Sequence, residues 1–166
     1  MIARDLRGPP IPVMIPDMPS AKDVLPWLEK IDQARWYTDG GPLAAEFERE
    51  LIDLVLHRFP VENLYGAVVS TGTAALELGL AAMGAGADSR VMMPALTFPA
   101  TATAVRRIGA REVLVDVDPD NWSLTPEIAL AALQRTHVDL VVPVAAFGCP
   151  QDVDAWDAFN GPGSVC

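Results

Sequence analysis

Val68-Val-Ser-Thr-Gly-Thr-Ala-Ala-Leu-Glu-Leu-Gly-Leu-Ala-Ala-Met83 opens as a short apolar strand, turns on Ser70-Thr-Gly-Thr73 and continues in residues that favour a helix. Reading outward, the same alternation recurs. Strands are predicted over Gly66–Ser70, Arg90–Met93, Glu112–Asp116 and Asp139–Ala145. Helices are predicted over Thr73–Met83, Pro99–Ile108, Pro126–Gln134 and Val153–Phe159, the third with Thr125 as N-cap and Pro126 at its first position. Strands that are apolar throughout and separated by helices indicate an α/β fold with a mainly parallel sheet flanked by helices on both faces.

Upstream of Tyr65 the pattern is different. The first twenty or so residues are rich in Pro and read as an extended arm. A helix follows to Ala34, with Ser20 as its potential N-cap and Val24, Leu25, Leu28 and Ile31 at helical spacing. The segment Arg35-Trp-Tyr-Thr-Asp-Gly-Gly-Pro42 is a loop, and a second helix runs from about Leu43 to Phe59 with Phe47, Leu51, Leu54 and Val55 on one face.

Bulk composition narrows the function classes. The chain has 166 residues, of which 51% are apolar and 20% charged, a globular composition with enough chain for one core. Its net charge of −10 and the lack of any Lys or Arg run argue against nucleic acid. Apolar runs are all cut by Gly, Pro or charge well short of a membrane span, and the N-terminus lacks the apolar core of a signal peptide, so a soluble cytoplasmic protein without a membrane partner is expected. Cys149 and Cys166 form neither a disulfide framework nor a zinc ligand pair.

In a parallel α/β sheet, ligands sit where strands end and helices begin. Ser70-Thr-Gly-Thr73 is such a place: free amides and the positive dipole end of the next helix attract an anion, a glycine admits close approach, and three hydroxyls add hydrogen bonds. No Gly-Lys-Ser/Thr follows and the dinucleotide glycine spacing is missing, so neither common nucleotide cradle is present. Taken alone, the loop is consistent with a phosphate site or with an ordinary helix cap. A second loop, Met93-Pro-Ala-Leu-Thr-Phe-Pro-Ala-Thr101, brings Phe98 to the same sheet edge, either as a ring to stack on an aromatic phosphate ester or as a core aromatic. Asp116-Val-Asp-Pro-Asp120 with Glu127 imitates a calcium loop, but Asn121 replaces the required Gly and a strand precedes it. No metal site is expected there or at His57 and His137, and Trp122 and Trp156 are expected to pack.

The order Arg35-Trp-Tyr-Thr38, Gly41-Pro-Leu43, Glu48, Ser70-Thr-Gly-Thr-Ala-Ala-Leu76, Pro94-Ala-Leu-Thr-Phe98, Gly109-Ala110, Val115-Asp-Val-Asp118 and Pro143-Val144 with Gly148-Cys-Pro150 resembles the DegT/DnrJ/EryC1/StrS aminotransferases. The resemblance covers Leu25 to Phe159. It implies the partial large domain of a fold type I pyridoxal-phosphate transferase: an arm and first helix over 1–45, the N-terminal part of the large domain over 46–160, and a tail over 161–166. It implies pyridoxal 5'-phosphate as cofactor, held by Gly72, Thr73 and Ala74 at its phosphate and by Phe98 on its ring, with Thr38 near the substrate. Keto sugars, many of them nucleotide-linked, and an amino acid donor are the implied small-molecule substrates, and a homo-oligomer is the implied assembly.

Two departures qualify the activity. Thr71 stands where the family more often has Ser, and Ser70 where it often has Asn; the hydroxyl at 71 is kept. The family's chains are more than twice as long, and the Lys that links covalently to the cofactor lies in the part not matched here. Lys22 and Lys30, the only lysines, both belong to the first helix, so the resemblance assigns no catalytic residue to this chain and implies that it does not transaminate alone. The tail after Phe159 is expected to stop where the family enters its next strand. A related sugar dehydratase, with His in place of that Lys, and an inactive scaffold or interaction module are the alternatives.

Overall fold

The computed structural model describes residues 15–59, 63–159, 161 and 163–164. Most of the predicted N-terminal arm and Cys166 lie outside these residues. The chain divides into two compact units, Met1–Val68 and Val69–Cys166.

The first unit holds two helices. Helix α1 is Ala21–Ala34 and α2 is Pro42–Arg58. The N–H and hydroxyl of Ser20 both donate to the Asp23 carboxylate, at 2.9 and 2.7 Å, and fix the start of α1. Pro42 occupies the first position of α2, where its missing N–H costs nothing. Lys30 and Glu46 link the helices at 3.4 Å. The predicted strand Gly66–Ser70 does not form. A strand needs a neighbour to pair its backbone groups, and among the described residues none lies alongside; the Val68 N–H donates to Glu48 Oε1 at 2.7 Å instead.

The second unit contains α3 (Gly72–Ala82), β1 (Arg90–Pro94), α4 (Ala100–Arg107), β2 (Arg111–Val115), α5 (Pro126–Leu133), β3 (Leu140–Val141), α6 (Val153–Asp157) and β4 (Gly163–Ser164). The four strands are parallel, in the order β2-β1-β3-β4. Side chains of successive strand residues alternate between the faces. Val91 and Met93 therefore enter one cluster with Leu80, Ala104, Val105 and Leu140, under α3 and α4. Met92 enters another with Leu124, Ala129, Val141 and Trp156, under α5 and α6.

Two expectations at the end of the chain need correcting. The strand predicted over Asp139–Ala145 is confined to Leu140–Val141: the Val142 N–H still reaches Met92 O at 2.8 Å, but Pro143 has no N–H to continue the ladder. The tail does not stop short of a strand, because Gly163 and Ser164 pair with Leu140 and Val141. Trp156 packs in the core as expected, whereas Trp122 is 53% exposed.

The amino ends of β1 and β3 are stapled by Asp139. Its carboxylate accepts from the Arg90 N–H at 2.7 Å, its own N–H donates to Arg90 O at 2.9 Å, and His137 Nε2 lies 3.0 Å away. The Arg90 N–H above all, and His137 beside it, hold this carboxyl below its ordinary value against the opposing effect of desolvation. A depressed folded-state pKa contributes stability that is present above the unfolded value and lost as pH falls through the folded one. Asp139→Asn should therefore lower the melting temperature at neutral pH, and its deficit against the parent should narrow in acid below the ordinary carboxylate pKa, as followed by circular dichroism. Leu124, fully buried between sheet and helices, should cost about 2–5 kcal/mol of unfolding free energy when replaced by Ala, measured by urea denaturation.

Candidate functional site

In the second unit α4 returns between the parallel strands β1 and β2, so its N-terminus faces the carboxyl edge of the sheet, and α3 packs beside α4 with its C-terminal end leading through residues 83–89 into the amino end of β1. Thr71 is the N-cap of α3, with its hydroxyl accepting from the Ala74 N–H at 3.1 Å and its carbonyl from the Ala75 N–H at 3.0 Å. The N–H groups of Gly72 and Thr73 have no partner among the described residues. Of the three residues singled out in the sequence for the phosphate, two thus present free amides, while Ala74 spends its amide on the cap. The Thr71 hydroxyl proton remains available to a ligand, since that bond uses only an oxygen lone pair.

The space over this turn is open. A Cβ built on Gly72 meets no atom within 4 Å, and its φ lies outside the left-handed region. Glycine here is required neither by strain nor by packing against this chain. The residues present fit a phosphate group: two bare amides and a hydroxyl at the positive end of an 11-residue helix, with room for oxygen atoms above.

Phe98 follows β1 and is 78% exposed, which removes the core-aromatic alternative. Behind it, the Thr97 and Thr101 hydroxyls are 2.8 Å apart, and Thr101, in the first turn of α4, is buried. The loop after β3 faces this one, because β3 is the neighbour of β1. Between them lies a cleft of about 350 Å³ with Leu96, Thr97 and Phe98 on one side and Val144, Ala146 and Phe147 on the other. The β3 loop is clamped from beneath: the buried Trp156 indole donates to Gln151 Oε1 at 3.0 Å, and Gln151 Nε2 donates to Val144 O at 2.8 Å. Phe147, Trp122 and Gln151 were not singled out as site residues in the sequence. Neither aromatic sits in a periodic pattern that would separate it from a packing residue.

The Asp116–Asp120 segment is an ordinary turn. The Asp118 carboxylate accepts from the Asp120 and Asn121 N–H groups at 2.9 and 3.1 Å, and Asp116 from the Val117 N–H at 2.9 Å. Thr38 belongs to the first unit, where it lines a cleft of about 510 Å³ with Leu28, Asp32, Trp36 and Tyr37. There the Tyr37 hydroxyl bonds Asp32 Oδ1 at 3.1 Å and the Trp36 indole donates to Asp39 O at 3.1 Å. No described helix is long and apolar enough to cross a membrane.

Known proteins share this sequence and architecture. The family model for DegT/DnrJ/EryC1/StrS aminotransferases matches residues 20–161. The 3-amino-5-hydroxybenzoate synthase of Amycolatopsis mediterranei (strain S699) is 39% identical over 126 residues, 75% of this chain and 30% of that protein. The UDP-2-acetamido-2-deoxy-3-oxo-D-glucuronate aminotransferase of Pseudomonas aeruginosa is 33% identical over 119 residues, 72% of this chain and 31% of its own length. The solved structure of NtdA from Bacillus subtilis with bound cofactor PMP superimposes with a TM-score of 0.70 at 27% identity, over 87% of this chain and 34% of that one. This chain therefore spans about three tenths of the length of these curated relatives. With the family model covering most of its length, the chain belongs to the DegT/DnrJ/EryC1/StrS aminotransferase family.

Proposed function

We propose that this chain is the N-terminal portion of a pyridoxal-phosphate-dependent aminotransferase acting on a keto sugar, and that it supplies the cradle for the cofactor. The observation that carries the reading is the pair of unpartnered amides at Gly72 and Thr73 beneath open space, at the same sheet edge as the exposed ring of Phe98. Bound pyridoxal phosphate supplies an electron sink for exchange of an amino group. The residues of this chain bind and orient. Gly72 and Thr73 donate their N–H groups to phosphate oxygens and Thr71 its hydroxyl, while Ala74 keeps that hydroxyl turned by holding its oxygen. Phe98 provides the flat apolar face on which a pyridine ring rests.

Keto-sugar chemistry is supported by the Pseudomonas relative, whose name specifies a nucleotide-linked oxo-sugar. A nucleotide-linked keto sugar as acceptor and an amino acid as donor are the substrates of this reading, with Thr38 on the substrate side. The amine that transamination requires is not furnished by the cradle: Lys22 and Lys30 both lie in α1, in the other unit. A homodimer completes the reading. Its support is apolar surface left open on the described elements, including Leu114 on edge strand β2 and Leu51 and Leu54 on α2.

Titration of the chain with pyridoxal phosphate, followed by absorbance and by the phosphorus resonance of the ligand, tests this. Gly72→Val should keep the fold and weaken binding about a hundredfold, the loss of two charge-assisted hydrogen bonds worth about 1.5 kcal/mol each. Unchanged affinity would remove the turn from the site. Phe98→Ala should leave inorganic phosphate binding intact but abolish the ring-dependent part, seen as equal affinity for pyridoxal phosphate and inorganic phosphate.

A further inference from the structure

The β3 side of the ring cleft is built from backbone that has little reason of its own to keep its shape. Past Pro143 the ladder has ended, and Ala145 sits at φ −74° and ψ 74°. It is the centre of an inverse γ-turn, closed by the Ala146 N–H on Val144 O at 2.9 Å. Phe147 follows at φ 53°, a left-handed backbone that is strained for a bulky side chain. Its ring is 86% exposed and meets Trp122 edge to face, with centroids 5.8 Å apart at 69°. A three-residue turn followed by a strained residue needs an outside hold.

Gln151 supplies that hold. Val144 O accepts a second hydrogen bond, from Gln151 Nε2 at 2.8 Å, and Gln151 Oε1 accepts from the Trp156 indole N–H at 3.0 Å. An indole only donates and a backbone carbonyl only accepts, so one orientation of the Gln151 amide alone satisfies both. Trp156 is buried in the cluster of Met92, Leu124 and Val141. The cleft wall is thus tied through a single side chain to the core of the sheet, by bonds whose direction is fixed at each end.

We propose that Gln151 is the positioning residue of the Phe147 wall: it fixes Val144 O, the γ-turn then places Phe147, and Phe147 sets the width of the cleft against Phe98. Gln151 itself touches no ligand in this role. The inference rests on the reading of the cleft as the cofactor's ring site and adds what holds its far wall. Its mark is the need for a donor at 151. In Gln151→Glu the indole keeps its acceptor, but an ionised carboxylate turns its second oxygen on Val144 O. Protonation supplies an O–H donor there and restores the bond. Burial, together with the carboxylates of Glu127 and Asp152 in the same cavity, raises the pKa of such a group, so the bond returns as pH falls through that raised value.

Two measurements on the isotope-labelled chain test this. The first needs no ligand: at neutral pH, Gln151→Glu should weaken the nuclear Overhauser contacts between the Phe147 and Trp122 rings, and mild acid should restore them. The second is affinity, each value read against the parent at the same pH. Gln151→Glu should raise the pyridoxal phosphate Kd about tenfold at neutral pH, leave the inorganic phosphate Kd unchanged, and approach the parent in acid. Gln151→Met, of similar length and without a donor, should show the same loss at every pH. Phe147 contacts that persist in both variants, a Gln151→Glu deficit that acid does not relieve, or equal weakening of phosphate and pyridoxal phosphate would overturn the proposal. Failure of pyridoxal phosphate to bind the parent chain would instead refute the cofactor cradle, and the ligand-free contacts alone would then decide whether Gln151 holds the wall.

Discussion

The parallel ladder on both sides of β1 is the constraint from which the second unit follows. Five residue pairs register Arg90–Pro94 against Arg111–Val115, and two register Val91 and Met92 against Leu140 and Val141. With both edges of the strand paired, its backbone needs no water, and Val91, Met92 and Met93 are buried completely. Parallel pairing also brings the carboxyl ends of β1, β2 and β3 to one edge. The Phe98, Trp122 and Phe147 loops meet there because they follow those three strands. Helix α4, returning between β1 and β2, must run antiparallel to them, and α3, whose C-terminal end leads through residues 83–89 into the amino end of β1, carries its bare amides at its opposite end.

The same geometry sorts charge. Helix C-termini favour cations, and Arg106 and Arg107 lie in the last turn of α4, where Arg107 bonds Glu77 at 2.9 Å and Arg106 approaches Glu112 at 3.6 Å. These two cations are thereby engaged with neighbouring carboxylates. At the carboxyl edge, attraction for an anion comes only from helix dipole and amide N–H groups, which act within a turn of the helix end. Such an attraction is short in range and does not draw extended polyanions from a distance, in agreement with an acidic chain.

The alternation of strands and helices in the second unit was legible because each element there carries its own periodicity and punctuation. Thr125-Pro126, for instance, marks the start of α5 as read, with the Thr125 hydroxyl accepting from Ile128 N–H at 3.4 Å. Gly66–Ser70 misled because strand composition states a capacity to pair, not the presence of a partner. Pro143 marked the end of β3 in plain sight, yet the apolar run through Val144 and Ala145 outweighed it. The start of α3 was legible from Ser70-Thr-Gly-Thr73, where Thr71 caps the helix through the Ala74 N–H. The Phe147–Trp122 contact was not, because it depends on left-handed backbone at both residues that no local pattern encodes.

The occupied amide of Ala74 weighs less against a phosphate than it first suggests. A charged ligand gains about 1.5–3 kcal/mol from each hydrogen bond it receives, so one lost amide is a real deduction. That amide, however, fixes the Thr71 oxygen at 3.1 Å and leaves the hydroxyl proton as the group free to turn outward. A serine or threonine without such a bond would have to give up rotamer freedom on binding; Thr71 has already done so in forming the cap. The turn therefore presents two amides and one preorganised hydroxyl in place of three amides, with equal numbers of donors. In the proposed cradle the cap would serve twice, as a stabilising bond of the fold and as the bond that orients the Thr71 hydroxyl.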